Sequence, residues 1–425
     1  MDTIKRYTLL ASFLLVPFAV LSTGLIHLSH TYALTVAALI ILTAQNCKPV
    51  VIIQSVKRKN KTWANLTLNN VIFLFVCYAS IWQIVLFLQA LSYKIPPASA
   101  LDGLSSIIFL IIAVVIYKSV ERSEISLTAF FNIICISALL QLFLAYSQLA
   151  FGSDPFNYII RSLFKTESRL SLHAPTGTLG NNNYLAAYLV IALPFFCRGF
   201  NLRFYTVKRP WLGQIKIPYS SSIGWWCAIP LILIMLYATQ TSTAVIALGA
   251  GIYVYWTRLL KEKRITWKVY AASLVAMSLI ILVYVFYYHS IIRDIGRTGY
   301  DLDRYDMWIY VWRALTSSPW FFVFGFGPGA LWIRPYPLHS EWVTMIYQYG
   351  MTGLCLMGLF IAKIPRTSIY LFPAAVIIFV NMLGNSALHY APSAFLILII
   401  LGLLERESTP IASSRARGAK STTTR

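Results

Sequence analysis

The sequence predicts an all-α polytopic membrane protein of about twelve transmembrane helices, with a large periplasmic loop between spans 9 and 10 holding short amphipathic helices. Three observations lead there. Of 425 residues, 58% are hydrophobic and only 12% charged, against roughly a quarter charged in a soluble domain, and mean hydropathy is +0.68. Apolar runs near the ~20 residues that cross a bilayer recur along the whole chain. Lys and Arg, finally, alternate in abundance from loop to loop.

The spans fall near 7–26, 29–45, 70–92, 101–117, 125–150, 183–197, 223–239, 243–257, 269–288, 342–362, 369–386 and 388–404. The first follows "MDTIKR" and resembles a signal peptide at its charged end. It lacks a small-x-small cleavage site, so an uncleaved helix is expected. With a cytoplasmic N-terminus, the even-numbered loops should be basic, and they are: Lys57 to Lys61, Lys118 and Arg122, Arg198 to Lys216, Lys261 to Lys268, Lys363 and Arg366. Nine of the 35 basic residues fall on the other side. Residues 1–405 then form a single transmembrane domain, with 406–425 a disordered basic cytoplasmic tail.

Several classes are excluded or demoted. The net charge of +21 lies in scattered loops, as topology and anionic lipid require, so no nucleic-acid partner is expected. The six cysteines sit in spans or at their cytoplasmic ends, which implies no disulfide framework. There is no P-loop, dinucleotide fingerprint or zinc-like Cys/His spacing.

Two outer loops are long, roughly 151–182 and 289–341, and such loops are usually functional or disordered. They hold eight of the nine outer basic residues, seven of them Arg, including Arg169, Arg297 and Arg304. Arg matches phosphate or carboxylate oxygens in a planar fork. Its enrichment on the side where positive charge is normally depleted points to an anionic ligand at the outer leaflet. Within the second loop, "DLDRYDMWIYVWRAL" (301–315) reads as an amphipathic helix at headgroup level, with Arg304 one turn from Trp308 and two from Trp312. Gly325, Gly327 and Gly329 follow. They are expected to form a tight apolar turn dipping into the bilayer edge, or else to offer backbone N–H groups to phosphate.

"PYPLHSEWVTMIYQYG" then places His339, Ser340 and Glu341 at the entrance of span 10. Ser340 suits an N-cap, and Glu341 suits the first turn of a helix, where negative charge meets the macrodipole. That position disfavours imidazolium, so His339 is either a neutral general base beside the Arg cluster or an interfacial His bonded to a carbonyl. Asn181, Asn182 and Asn183 precede span 6; one amide caps a helix, and the others are suited to sugar hydroxyls or a diphosphate. His173, the acidic pair Asp301 and Asp303, and the Asn385 and His389 hairpin carry weaker signals.

With these residues in hand, the chain resembles the O-antigen ligase and O-antigen polymerase family of bacterial envelope glycosyltransferases. The resemblance rests on "GTLGNNNYLAAYL" (177–189), "DRYDMWIYVWRAL…PWFFVFGFGPG", "HSEWVTMIYQYGMTGL" and "NSALHYAPSAFLILIILGLLE", and covers about 160–405. It implies a donor glycan on a polyprenyl (undecaprenyl) diphosphate, transferred without metal or cofactor. The acceptor would be a hydroxyl of lipid A–core (ligase) or of another glycan (polymerase), in lipopolysaccharide or surface polysaccharide biosynthesis. By resemblance Arg304 would hold the diphosphate leaving group and His339 would serve the acceptor hydroxyl; Asn181, Asn183 and Glu341 are candidate substrate-binding residues beside them, and Arg169, Arg161 or Arg297 could supply a second cation. One departure stands out: Ser242 occupies the place of a second family Arg, and Ser340 that of an Asn. Ligase is preferred slightly over polymerase. The rival from another class is a transporter or flippase for an anionic lipid or solute, which predicts broken helices and ionisable groups near the bilayer midplane. An inactive scaffold is the third reading.

Overall fold

A computed structural model describes residues 68–92, 110–121, 123, 125–151, 175, 182–197, 203–209, 213–219, 223–239, 241–287, 300–327, 340–366, 368–384 and 391–408. The predicted spans near 7–26 and 29–45 lie outside them. Helices follow the apolar runs in order: α1 (Leu68–Leu91), α2 (110–121), α3 (Leu127–Phe151), α4 (Asn182–Phe196), α5 (Ile223–Thr239), α6 (Ser242–Lys261) and α7 (Trp267–Tyr287). Then come α8 (Tyr300–Thr316), α9 (Pro319–Phe324), α10 (Glu341–Lys363), α11 (Leu371–Asn381) and α12 (Ala391–Ser408). One departure from the all-α expectation is an antiparallel hairpin, β1 (Arg203–Arg209) with β2 (Gly213–Tyr219), in the basic loop between α4 and α5.

Among the described residues, four helices are long and apolar enough to cross a bilayer: α1, α3, α6 and α10. The expectation of twelve such spans is therefore met only in part. α4 and α11 are apolar but have just 15 and 11 residues, short of the ~20 a spanning helix uses. The four long helices make this a membrane-associated protein. α1 shows the pattern plainly: Ile81, Ile84, Phe87 and Leu88 are exposed large apolar side chains, which only lipid or a partner accommodates.

α4 is the hub. Every residue from Leu185 to Phe196 is buried, and Pro194, in the last turn, has no N–H to give the Val190 carbonyl. α3, α5, α6, α11 and α12 pack around it. Polar bonds tie the layers where hydrocarbon gives no alternative partner: Ser137 Oγ lies 2.8 Å from the Tyr188 hydroxyl, and Tyr146 donates to the Leu231 carbonyl at 2.8 Å.

The polar helix ends fall into two groups. At one, Lys118 of α2 donates to Glu121 and to Asn69 of α1, both at 2.5 Å. Asn69 in turn donates to Glu405 of α12 at 3.4 Å, and Arg406 to the Ile125 carbonyl at 2.5 Å. Arg258, in the last turn of α6, donates to the carbonyls of Arg366 and Ser368 ahead of α11. These are the ends that the basic loops put on one side. The ends of the opposite parity meet elsewhere: α4 with the α5–α6 turn, and α10 with the end of α11.

α10 is not continuous. Gly350 has φ 60° and ψ −159°, so the helix breaks there and carbonyls in the preceding turn lose their usual partners. The segment after α9 fills the gap. Phe326 N–H donates to the Tyr347 carbonyl at 2.9 Å, and Gly327 N–H to the Gln348 carbonyl at 2.8 Å. Tyr78 of α1 shares its hydroxyl proton between the carbonyls of Phe324 (2.9 Å) and Tyr349 (3.0 Å), while accepting from Trp82 Nε1 at 3.1 Å. Thr352 Oγ1 donates to the Val323 carbonyl at 2.8 Å. The backbones of Gly325 and Gly350 touch: a Cβ on Gly350 would lie 2.5 Å from Gly325 N, and one on Gly325 2.5 Å from Gly350 N. Both glycines have positive φ.

Two predictions follow from these contacts. Gly350→Ala and Gly325→Ala should each destabilise the protein by more than ~2 kcal/mol, since each adds the strain of a side chain at positive φ with ψ near 180°, ~1–3 kcal/mol, to a backbone collision. Gly358→Ala, whose Cβ meets nothing within 4 Å, serves as control; equal thermal unfolding of all three in detergent would refute the joint.

The second concerns Glu405, which lies beyond its predicted span. Burial holds its carboxyl above the usual range, reinforced by Glu121 and opposed by Lys118. A raised folded-state value means that its stability contribution is full below the ordinary carboxylate range and is lost as pH rises through the folded value. Glu405→Gln should therefore unfold at a higher temperature than wild type at neutral pH, with the gap closing on acidification. A gap that widens on acidification would reverse the assignment.

Candidate functional site

The candidate site lies at the end opposite the Lys118 and Arg406 network, and begins at Ser340. As the sequence predicts, Ser340 caps α10: its backbone is extended (φ −148°, ψ 123°) and its Oγ accepts from Val343 N–H at 3.3 Å. Glu341 follows in the first turn and is only 2% exposed. Helix capping accounts for its position and not for its burial, since a capping carboxylate usually stays solvated. Its N–H donates to the Met382 carbonyl at the end of α11 (3.0 Å). Tyr184 of α4 lies within electrostatic reach of its carboxylate.

α4 contributes two further amides. Asn182 Nδ2 donates to the Thr239 carbonyl at 2.8 Å, and Asn183 Oδ1 accepts from Thr241 Oγ1 at 3.0 Å. Thr239 and Thr241 are buried at the α5–α6 turn, just ahead of Ser242, the first residue of α6. Asn182 and Asn183 thus tie α4 to that turn, a use that differs from the helix capping and substrate binding expected from the sequence. Thr243 of α6 reaches Gly384, just past α11. The result is a corner where α4, the α5–α6 turn, α10 and the end of α11 bring together the amides of Asn182 and Asn183, several hydroxyls and the buried carboxylate of Glu341.

An apolar cavity of about 180 Å³ opens between α1, α2, α10, α11 and α12. Met382, which accepts the Glu341 N–H, and Met345, one turn along α10, both line it. Val71, Tyr117 and Leu401 line it toward the basic-loop end. The cavity and the polar corner are thus neighbours through Met382.

α8 is the amphipathic helix expected over 301–315, running from Tyr300 to Thr316. Met307, Val311 and Leu315, spaced by four, pack with Tyr347 of α10. Arg304 lies in the first turns of α8, one turn ahead of Met307; its side chain is outside the described residues, as are those of Asp301 and Asp303. His339, Arg169, Arg297, Asn181, His173, Asn385 and His389 also lie outside them.

The two readings of the glycine run now separate for Phe326 and Gly327. Their N–H groups are spent on α10 carbonyls, which fits the tight apolar turn and removes those two donors from any phosphate. Thr239, Thr241 and Tyr78 were missed at sequence level. The first two stood in "ATQTSTAVIAL" as a polar break between apolar runs, and only Ser242 drew notice there. Tyr78 carries no local signal, because its partners are 246 and 271 residues away.

The chain matches no protein-family model and no curated protein.

The corner makes a stability prediction. Thr241→Val should cost ~1 kcal/mol, and Asn183→Ala should be coupled to it. A double-mutant cycle read by thermal unfolding in detergent should give a coupling of ~0.5 kcal/mol or more; additive effects would mean that the Thr241 bond contributes nothing.

Proposed function

We propose that the protein is an integral-membrane glycosyltransferase. It transfers a glycan from a polyprenyl diphosphate carrier to a hydroxyl of a lipid or glycan acceptor at the outer face of the bacterial inner membrane. Within that class we favour an O-antigen ligase, which uses lipid A–core as acceptor, over a polymerase. The observation that carries the reading is the polar corner set beside an apolar cavity, joined at Met382. An amphiphile with a polar, sugar-bearing head and a hydrocarbon tail has this division.

Two further observations support it. The helix that carries Arg304 packs through Met307, Val311 and Leu315 on the helix that His339 precedes. The motif order in the sequence puts Asn181 to Asn183, Arg304 and His339 on the same predicted side. In this proposal Arg304 holds the diphosphate and stabilises the charge that grows on the leaving group. His339 takes the proton of the acceptor hydroxyl, and Arg169, Arg297, Asn181, Asn183 and Glu341 bind the substrates. The attack forms the new glycosidic bond as the bond from the anomeric carbon to the diphosphate oxygen breaks.

The transporter reading draws on one observation, the break in α10 at Gly350. Broken helices in transporters leave backbone carbonyls to coordinate substrate ions. Here the carbonyls of Tyr347, Gln348 and Tyr349 already accept from Phe326, Gly327 and Tyr78, so the break is closed by protein.

The test is transfer in liposomes containing a polyprenyl-diphosphate glycan and candidate acceptors. Wild type should form product, while His339→Ala and Arg304→Ala should each lose at least ~10²-fold in rate with normal insertion. Absence of transfer to every acceptor by a folded wild type would sink the enzyme reading.

A further inference from the structure

The packing of α8 and α9 leaves one side of this pair uncovered. Met307, Val311 and Leu315 face α10, whereas Trp308, Trp312 and Trp320 are 38%, 56% and 62% exposed. Val323 and Arg313 are exposed as well. Trp312 meets Phe322 edge to face at 6.1 Å, which joins aromatic groups of the two helices, and Trp320 meets Phe324 at 4.4 Å within α9. Three large exposed indoles on a short helical pair are costly to leave in water.

The joint with α1 and α10 sets the depth of this patch. Gly327 rests against Trp82 and Leu86 of α1, and Phe324 packs on the cluster formed by Ala79, Trp82 and Tyr349. At a rise of ~1.5 Å per residue, Leu86 and Trp82 lie roughly 7 and 13 Å before the end of α1. On α10, Tyr347 and Gln348 lie about 10 Å past its first residue. The end of α9 therefore sits below the ends of two membrane-length helices rather than on top of them. Irregular backbone at such a level must find its partners within protein, and the bonds from Phe326, Gly327 and Tyr78 supply them.

We infer that the α8–α9 pair is a re-entrant element whose occupant on this side is the glycerophospholipid interface itself, with Trp308, Trp312 and Trp320 seated at the level of headgroup and glycerol. Indole combines a large apolar body with one N–H donor, which is why it collects at that level. Exposed Arg313 beside Trp312 suits lipid phosphate. The first turns of α8, which carry Arg304, are then held at the same boundary. This inference stands apart from the proposed reaction and makes no use of it.

The test is depth-dependent fluorescence quenching in vesicles of phosphatidylcholine brominated either near the glycerol or near the chain end. Wild type is compared with the triple variant Trp308→Phe, Trp312→Phe, Trp320→Phe, and the difference spectrum isolates the three indoles. The difference signal should be quenched about twofold more by the shallow bromolipid than by the deep one, as interfacial indoles require, and little by aqueous iodide. Trp320→Phe alone gives the same comparison if the triple variant does not fold. Quenching by iodide with neither bromolipid effective would place the face in water, and protection from all three would show a protein partner or a second copy. Stronger quenching by the deep bromolipid would put it in the hydrocarbon; each of these overturns the inference.

Discussion

The contact of two backbones, at Gly325 and Gly350, governs the arrangement of everything on this side of the bundle. A helix that breaks inside an apolar layer exposes carbonyls that water cannot reach, and each unsatisfied group costs several kcal/mol. The break in α10 is tolerated because the chain after α9 approaches closely enough to donate to Tyr347 and Gln348. Only glycine allows that approach, since a Cβ on either residue would lie 2.5 Å from the other's backbone nitrogen. Tyr78 then bridges both strands of the joint and is itself fixed by Trp82. Three separate stretches of chain are thereby held in one register: α1, the α8–α9 pair and α10.

That register carries outward to the polar corner. α10 cannot shift along its axis without disturbing the joint, and its first residue is tied to the end of α11 through the Glu341 N–H and the Met382 carbonyl. α4, buried from Leu185 onward, fixes Asn182 and Asn183 against the α5–α6 turn in the same way. Glu341 is 2% exposed, so its carboxylate stays where packing puts it. At the other end of the helices a separate set of bonds, from Lys118, Arg258 and Arg406, closes the bundle with charges. One end is stapled by charge; the other is assembled from amides, hydroxyls and a single acid.

Much of this was legible in the sequence, because helical membrane proteins write their elements as apolar runs. Predicted spans such as 70–92, 125–150 and 223–239 match α1, α3 and α5 within a few residues, and α8 appears where the amphipathic pattern put it. The Ser340 cap was legible for the same reason, as its partner Val343 is three residues away. Whatever depends on distant pairing was not. "YQYGMTGL" shows a glycine pair, yet nothing local says that Gly350 breaks the helix, because the compensating donors lie at 326 and 327. The shortness of α11 was hidden too: the apolar run continues past Asn381, while the helix ends there. The Asn run misled in a different way. Amides at a membrane surface suit sugars by chemistry, and two of the three also suit neighbouring helices, which the sequence has no means to distinguish.

The division of labour between the two ends bears on the chemistry the protein can do. A charged network like that of Lys118, Glu121 and Glu405 satisfies its members against each other and leaves little capacity for a ligand. The corner is also bonded within itself, through Asn182 to Thr239 and Thr241 to Asn183; what sets it apart is its place beside the apolar cavity. Bonds such as that from Asn182 to Thr239 stiffen its elements before any substrate arrives, and preorganisation of this kind lets oriented dipoles act on a developing charge without reorganising. Substrate with a soluble head alone would have no use for the cavity, and a lipid without a polar head none for the corner. The adjacency of the two at Met382 is the observation on which the proposed lipid-linked substrate rests.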